Sequence, residues 1–340
     1  MYTSRRTHSW FEPPSSSLVL AETEVSATQF GMMYGPSLLV NWTGERMNYL
    51  CNHPVVKEQF SDDLQTLFDK AFLRVAEAEA QGKIPLVKDH PIFWMKEEYY
   101  HKYLPDAPPG LINPQPTIVD SKLDLADGAV PDDDIPLPKP NPTLLPDRFF
   151  KTLAPIFCVR NPIRMMSSWW KAAGQPNTMG LFPEHPEWHL YYQYSFLREV
   201  FDCYKAFFEA QGNADKWPVV IDGDEVVTDT VEVMEGFCEA TGLPKSGISY
   251  TWESRMNLPP EGHPLRPGVT AFLGAIGKST CVTGGEHLLN EPVLSEEVEK
   301  WTKEWGSDVA KALEHGANMA MADYEYLRQF RVKPKRFQKA

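Results

Sequence analysis

Cysteine is scarce in this chain: its 340 residues include five, scattered along the sequence. They form no CxxC pair and no Cys/His cluster, which excludes the usual zinc patterns and leaves no metal to expect. Their odd number and wide spacing indicate reduced thiols, as in a cytosolic protein. The five are Cys51, Cys158, Cys203, Cys238 and Cys281.

Long apolar runs are also missing. No stretch approaches the roughly 20 apolar residues that a transmembrane helix needs. The apolar run at residues 17–21 is too short for the core of a secretory signal. We therefore expect a cytoplasmic protein without a membrane partner.

Positive charge is in deficit. The chain has 33 Lys and Arg residues against 46 Asp and Glu, a formal net charge of −13. This balance argues against nucleic acid or an anionic membrane surface as a partner. It does not exclude a small anionic ligand, which needs only a few local donors. With 42% apolar residues the chain can bury a sizeable core.

A complete nucleotide-binding P-loop is absent. Residues 273–280 (LGAIGKST) resemble the end of one, but Phe272 stands where the pattern needs its first glycine. No helix pattern follows this segment. We expect a glycine-rich loop, either plain surface or one whose amides and Lys278 contact an anion. An ATP-dependent kinase is the least supported alternative.

Short apolar runs alternate with helix patterns along the rest of the chain. Runs without polar alternation predict buried strands at residues 84–87, 154–159 and 217–221. Apolar residues at helical spacing predict helices over residues 61–80, 188–211, 228–241 and 296–316. Ser295 is expected to cap the last of these helices and Gly242 to end the third.

Apolar strands that each precede a helix are typical of an α/β fold with a central, mainly parallel sheet covered on both faces. One domain is predicted over residues 1–330, followed by a basic tail at 331–340. Residues 104–147 are rich in proline and contain an acidic run. They are predicted to form a long irregular insertion at the surface.

Arg160 follows the strand predicted at 154–159, and Asn161-Pro162 then opens a helix pattern. An arginine at a strand end can hold a phosphate through two parallel hydrogen bonds, and helix N-termini favour anions. Arg164 adds charge, and Ser168 adds a hydroxyl, in the same segment. The alternative is an arginine that binds carbonyl groups and a serine that is merely solvated.

Lys88 and His90 follow the strand predicted at 84–87. Residues i and i+2 of an extended segment point the same way, so both side chains would face one cleft. Lysine can neutralise charge on a leaving oxygen, and histidine can deprotonate a hydroxyl near neutral pH. The alternative is a surface turn before Pro91.

The order of these motifs resembles that of sulfotransferases that use 3′-phosphoadenylyl sulfate. Residues 87–91 (VKDHP) are similar to the family's Lys-x-His strand end. Arg160 and Ser168 match the spacing of its 3′-phosphate-binding arginine and serine. A strand, an acidic turn and a helix ending in Gly242-Leu243-Pro244 follow in the same order. The resemblance covers residues 30–285 and is closest to a microbial and fungal branch.

The resemblance implies a three-layer α/β/α fold related to P-loop kinases. It also implies transfer of a sulfuryl group from the cofactor to a hydroxyl of a small acceptor. His90 would remove the hydroxyl proton and Lys88 would stabilise charge near the bridging oxygen. Arg160 and Ser168 would hold the cofactor's 3′-phosphate.

The family's phosphosulfate loop has only a degenerate counterpart here, residues 4–9 (SRRTHS), with almost no chain before it for a strand. The resemblance assigns Arg6, Thr7 and Ser9 to the cofactor, together with Lys278. Two alternatives keep the fold without the sulfate donor. One is a natural-product tailoring enzyme, of the cyclase or dehydratase type, that uses Lys88 and His90 for proton transfer. The other is a non-catalytic interaction protein.

Aromatic side chains are expected mostly in the core, with some lining an acceptor pocket. The candidates are Trp94, Tyr99, Tyr100, Trp169 and Trp170. The acceptor's identity and the oligomeric state have no sequence signal.

Overall fold

The computed structural model describes residues 2–4, 118–120, 135–174, 192–254 and 288–334. It also describes scattered residues of the segments 65–102, 182–188 and 261–283. The four described cysteines, Cys158, Cys203, Cys238 and Cys281, are thiols rather than disulfides. No described helix combines the length and apolarity needed to cross a membrane.

The described residues form a mixture of strands and helices. The strands are β1 Tyr2–Ser4, β2 Leu86–Val87, β3 Leu153–Val159 and β4 Val219–Asp222. The α-helices with described bounds are α1 Asp147–Thr152, α2 Pro162–Trp169, α3 Tyr194–Ala210, α4 Gly223–Thr228, α5 Thr230–Thr241, α6 Leu294–Trp305 and α7 Ser307–Arg328. This mixture is compatible with the predicted α/β class, and the three-layer arrangement stays a prediction.

The four strands form one sheet in the order β2-β1-β3-β4. β1 runs antiparallel to both of its neighbours, with Tyr2 opposite Val87 on one side and Pro155 on the other. A strand at the N-terminus is not expected from the sequence, because so few residues precede Arg5. Three residues suffice here because both edges of β1 pair with another strand.

The third predicted strand is followed by a helix rather than by the acidic turn that the sequence predicts. Asp222 caps α4, and its carboxylate accepts a hydrogen bond from the Asp224 N–H at 2.9 Å. The chain leaves helical geometry at Asp229, where φ is −134°. The single predicted helix over 228–241 is therefore preceded by a separate short helix. Gly242, with φ 73°, follows the end of α5 as predicted.

The helix predicted over 296–316 is instead two helices, α6 and α7. Gly306 separates them with φ 89°, a backbone conformation that residues with a Cβ rarely adopt. The residue at the N-cap of α6 is Val293, so the cap predicted at Ser295 is wrong. The helix predicted from residue 188 begins at Tyr194. Trp188 lies instead in a 3-10 turn, and its ring is buried.

The chain divides into two compact units. The first comprises residues 1–157, 195–219 and 239–247, and the second comprises residues 158–194, 220–238 and 248–340. In the first unit, the ring of Phe150 stacks on Tyr204 with centroids 3.9 Å apart. A smaller cluster of Phe68, Trp94 and Ile118 is also buried there. The described residues of the helix predicted at 61–80, including Phe68, are helical.

Residues 141–143, near the end of the proline-rich segment, are buried in the first unit, whereas residues 135–140 are mostly exposed. Asn141 and Thr143 are both 2% exposed. The Asn141 side-chain amide donates to the Leu145 carbonyl at 2.7 Å, and Thr143 forms an antiparallel bridge with Met95. These partners satisfy the polar groups, so burial of the segment is tolerated.

In the second unit, α7 packs against α6 and α2 around a core rich in tryptophan. The buried members include Met166, Trp170, Trp188, Trp301 and Leu313. Val332, near the start of the predicted tail, also contacts this unit. The Val332 N–H donates to the Val220 carbonyl at 2.9 Å, although residues 331–340 are predicted as a tail.

Candidate functional site

Arg160 is the first residue after β3, in the second unit. Asn161 caps the following helix, and its side-chain oxygen accepts a hydrogen bond from the Ile163 N–H at 3.0 Å. One hydroxyl binds both backbone groups of Arg160. Tyr194 Oη accepts from the Arg160 N–H at 3.0 Å and donates to the Arg160 carbonyl at 2.6 Å. The backbone of Arg160 is therefore held on both sides.

The Arg160 guanidinium is held at one edge. Its Nε lies 3.2 Å from Asp224 Oδ1, and 41% of the side chain is exposed. Its two terminal Nη groups have no partner among the described residues. The other Asp224 oxygen, Oδ2, lies 3.3 Å from Nε of Arg164, which also donates to the Asn290 carbonyl. One carboxylate thus holds two guanidinium groups.

Asp222 is a buried carboxylate that holds the backbone of Asp224. It is 1% exposed, and its Oδ2 accepts from the Tyr324 hydroxyl at 2.9 Å and pairs with Arg328 Nε at 3.2 Å. Its Oδ1 caps α4 through the Asp224 N–H. A buried carboxylate needs such partners, because an unpaired buried charge is strongly unfavourable.

Further ion pairs extend this network around the end of β4. Arg331 Nε contacts both oxygens of Glu225, at 2.8 and 2.9 Å. Arg328 Nη1 pairs with Glu291 Oε1 at 2.8 Å. The network contains four arginines and four carboxylates, so its formal charge is balanced. The arginines are Arg160, Arg164, Arg328 and Arg331, and the carboxylates are Asp222, Asp224, Glu225 and Glu291.

Burial raises the pKa of two carboxyl groups and two phenols at this site. It raises the pKa of the Asp224 carboxyl, and the charge of Arg160 offsets only part of the effect. It also raises the pKa of Glu225 against the hydrogen bond from Arg331. The pKa values of Tyr194 and Tyr324 are raised by burial as well, so both hydroxyls stay protonated and able to donate.

Ser168, the predicted partner of Arg160, lies next to last in α2 and is exposed. The neighbouring Ser167 is used locally, since its hydroxyl donates to the Arg164 carbonyl at 3.3 Å. Ser168 therefore offers an accessible hydroxyl on the helix that Arg160 precedes.

Of the predicted catalytic pair, the structure describes His90 only; Lys88 lies outside the described residues. His90 is exposed, with an extended backbone (φ −110°, ψ 131°), and precedes the 3-10 turn Pro91–Phe93. β2 ends at Val87, as predicted. The shared cleft of Lys88 and His90 stays a prediction.

Arg6, Thr7 and Ser9 also lie outside the described residues. Ser4, which precedes them, pairs with Leu153, the first residue of β3. Arg160 follows the last residue of the same strand.

The glycine-rich segment differs from the predicted loop. Gly274, Gly277 and Lys278 are helical, and the helix ends at Lys278. The Ser254 hydroxyl donates to the Gly277 carbonyl at 2.8 Å. A helix C-terminus presents carbonyl groups, so this segment does not offer the amide cradle of a P-loop. Lys278 itself is exposed.

Three of the aromatic candidates belong to the core. Trp94 and Trp170 are 7% and 5% exposed, and Trp169 packs edge-on against Trp188 with ring centroids 4.7 Å apart. Tyr99 is half-buried, and Tyr100 lies outside the described residues. Within the described part of the chain, no group of three or more His, Cys, Asp or Glu residues is arranged to hold a metal ion.

Of the side chains Asp222, Tyr194 and Tyr324, which hold the surroundings of Arg160, Asp222 alone has a sequence signal. Asp222 follows an apolar run and precedes Asp224 and Glu225, which is typical of a helix cap followed by an acidic first turn. That pattern identifies the start of α4. Nothing in the sequence connects Tyr194 or Tyr324 with Arg160 or Asp222.

The sequence of the chain is similar to those of two curated proteins. The chain is 26% identical over 288 residues to sulfotransferase ppzF of Metarhizium majus, covering 82% of this chain and 78% of that protein. It is 25% identical over 293 residues to sulfotransferase ppzF of Metarhizium rileyi, covering 82% and 79%. No family model and no solved structure matches the chain. The two likenesses support a sulfotransferase-like family and an enzyme of the transferase class.

Proposed function

We propose that the chain transfers a sulfuryl group from 3′-phosphoadenylyl sulfate to the hydroxyl of a small, apolar or aromatic acceptor. Its likeness to two proteins named sulfotransferase supports this proposal. The observation that carries it is Arg160, which stands at the carboxyl end of β3 with its terminal nitrogens unused among the described residues.

The residues around Arg160 fit the 3′-phosphate of such a cofactor. A guanidinium bound at Nε keeps its two Nη groups for a bidentate contact with an oxyanion. Asp224 pairs with both Arg160 and Arg164, so two guanidinium groups share one carboxylate at this position. The exposed Ser168 hydroxyl supplies a further donor. We assign Arg6, Thr7, Ser9 and Lys278 to the rest of the cofactor.

The chemistry divides between the cofactor and two side chains. When bound, the cofactor would supply the sulfuryl group. His90, which is exposed in the structure, would accept the proton of the acceptor hydroxyl. Lys88 would stabilise negative charge on the bridging oxygen. Positioning and charge stabilisation would provide most of the rate enhancement.

Calorimetry with adenosine 3′,5′-bisphosphate tests the 3′-phosphate site. We expect the unmodified protein to bind it and Arg160→Ala to weaken binding at least about a hundredfold, as expected for the loss of two charge-assisted hydrogen bonds. Arg198→Ala is a matched control, because the Arg198 side chain is 38% exposed and also pairs with an aspartate. The control should bind like the unmodified protein.

The same measurement separates the alternatives. If the unmodified protein does not bind the nucleotide, use of the sulfate donor is rejected. A His90-dependent reaction of a small molecule would then favour a cyclase or dehydratase, and no such dependence would leave a non-catalytic protein. ATP binding that requires Lys278 would instead support a kinase.

A further inference from the structure

Arg160 is held at its backbone by one phenol. The Tyr194 hydroxyl bonds both the N–H and the carbonyl of Arg160, at 3.0 and 2.6 Å. A strand end usually leaves such groups to water or to the next strand. Here a single side chain binds both, so the direction in which the Arg160 side chain leaves the backbone is restricted.

The guanidinium is held by a separate contact. Asp224 approaches the Nε edge at 3.2 Å, and none of the described residues contacts the Nη edge. A carboxylate that competed with an anionic ligand would occupy the Nη groups. The geometry therefore indicates that Asp224 orients Arg160 rather than blocks it.

Asp224 is also held by contacts with residues other than Arg160. Its N–H donates to Asp222 Oδ1, while Tyr324 and Arg328 bind Asp222 Oδ2. Its second oxygen is bound by Arg164, whose side chain is only 14% exposed. Both ends of Asp224 thus have partners that do not depend on Arg160.

We propose that Tyr194 and Asp224 are positioning residues, which hold Arg160 so that its Nη edge faces an oxyanion of the ligand. The inference rests on the proposed function for the identity of that ligand, the 3′-phosphate of the cofactor. The hold itself is a property of the unliganded protein and can be measured separately.

The experiment combines two readouts on Tyr194→Phe and Asp224→Asn. The first is the Arg160 Nε–Hε NMR signal, identified by its loss in Arg160→Lys, and its rate of hydrogen exchange. The second is calorimetry with adenosine 3′,5′-bisphosphate. Tyr250→Phe and Asp202→Asn are the matched controls: Tyr250 is partly exposed, and Asp202 pairs with Arg198.

In Asp224→Asn we expect faster exchange of the Arg160 Nε–Hε proton and about tenfold weaker nucleotide binding, as for one lost charge-assisted hydrogen bond. Tyr194→Phe should keep the Nε–Hε signal and weaken binding about threefold, since the bonds lost are neutral. Asp224→Glu, which keeps the charge, should recover part of the affinity. A residue that only stabilised the fold would lower the melting temperature without changing the exchange rate.

Unchanged exchange in Asp224→Asn, or unchanged or tighter nucleotide binding in that variant, would overturn the proposal. If Asp224→Asn does not fold, unchanged affinity in Tyr194→Phe would do so. Failure of the proposed function is a different result: the unmodified protein then binds no nucleotide, while the exchange measurement still tests the hold on Arg160.

Discussion

Arg148 and Arg160 each pair with an aspartate, but their guanidinium groups are used differently. Arg148 contacts both carboxylate oxygens of Asp120, through Nε and Nη2 at 3.1 Å, and Nη2 also donates to the Asp120 carbonyl at 2.9 Å. Arg160 contacts Asp224 through Nε alone. A guanidinium used in the first way joins two segments, whereas the second way leaves donors for a ligand.

The cysteine thiols near the two arginines also differ in exposure. The Arg148 region, defined here as Asp120, Asp147 and Arg148, lies near the buried thiol of Cys203, whose pKa is raised by burial and by the Asp147 charge. The Arg160 region, defined as Cys158, Arg160 and Asp224, contains an exposed thiol. Both arginines form an ion pair with an aspartate, so the ion pair alone does not indicate a functional site. The informative part is the edge of the guanidinium that no described residue contacts.

The largest expected difference between the regions is in thiol chemistry. Burial raises the pKa of Cys203 to about 12, so at pH 8 only about one thiol in ten thousand is a thiolate. Iodoacetamide should therefore alkylate the exposed Cys158 at least about a hundredfold faster than Cys203. A time course of peptide mass spectra checks this, with denatured protein as the control for intrinsic reactivity. Equal rates in the folded protein would show that the Arg148 region is open.

The two arginines should also differ in their contribution to stability. Arg148→Ala is expected to lower the free energy of unfolding by about 2 kcal/mol, because it removes several charge-assisted hydrogen bonds and leaves Asp120 unpaired. Arg160→Ala should cost less than about 1 kcal/mol, as for an exposed ion pair. Urea denaturation of both variants provides the measurement. A larger loss in Arg160→Ala would make Arg160 a structural residue.

Replacement by lysine sharpens the comparison at constant charge. Lysine presents a point charge and lacks the planar fork, so it cannot bind Asp224 and a phosphate in the same manner. Arg160→Lys should weaken binding of adenosine 3′,5′-bisphosphate about tenfold. Arg148→Lys should leave that affinity unchanged. Equal affinities of the two variants would argue against a bidentate contact at Arg160.

The smallest expected effect is the pH dependence contributed by Asp224. Burial raises its pKa in the folded state, so its contribution to stability is complete below the carboxyl's ordinary pKa and is lost as the pH rises through the folded value. Asp224→Asn does not titrate. Its free energy of unfolding, relative to that of the unmodified protein, should therefore increase over this pH range. Urea denaturation at several pH values gives the difference, and a constant difference would contradict the raised pKa.

Much of the local structure around the site is predictable from the sequence. The apolar run that ends at Val159 forms β3, six of whose seven residues are buried. Asn161 and Pro162 begin α2 because an amide side chain caps a helix and proline suits its first turn. These features depend on residues that are neighbours in the chain.

Several boundaries are less predictable, because a local pattern permits two outcomes. Glycine at residue 306 ends one helix and precedes another, although the apolar spacing continues across it. The residues Gly274 to Lys278 are compatible with a loop or with a helix end. In each case the local pattern allows conformations of similar energy, so it does not by itself select one of them.

The sequence by itself determined that a buried strand ends at an arginine and that a capped helix follows. Its net charge of −13 also determined that an anionic ligand would be bound by a few local donors rather than by a broad basic surface. Only the tertiary structure decided how that arginine is used. Tyr194 and Asp224 lie 34 and 64 residues away along the chain, and Tyr324 lies 102 residues from Asp222. No local propensity brings such groups together. Their contacts follow from the packing of α7 and the end of β4, which places the carboxylates beside the guanidinium groups.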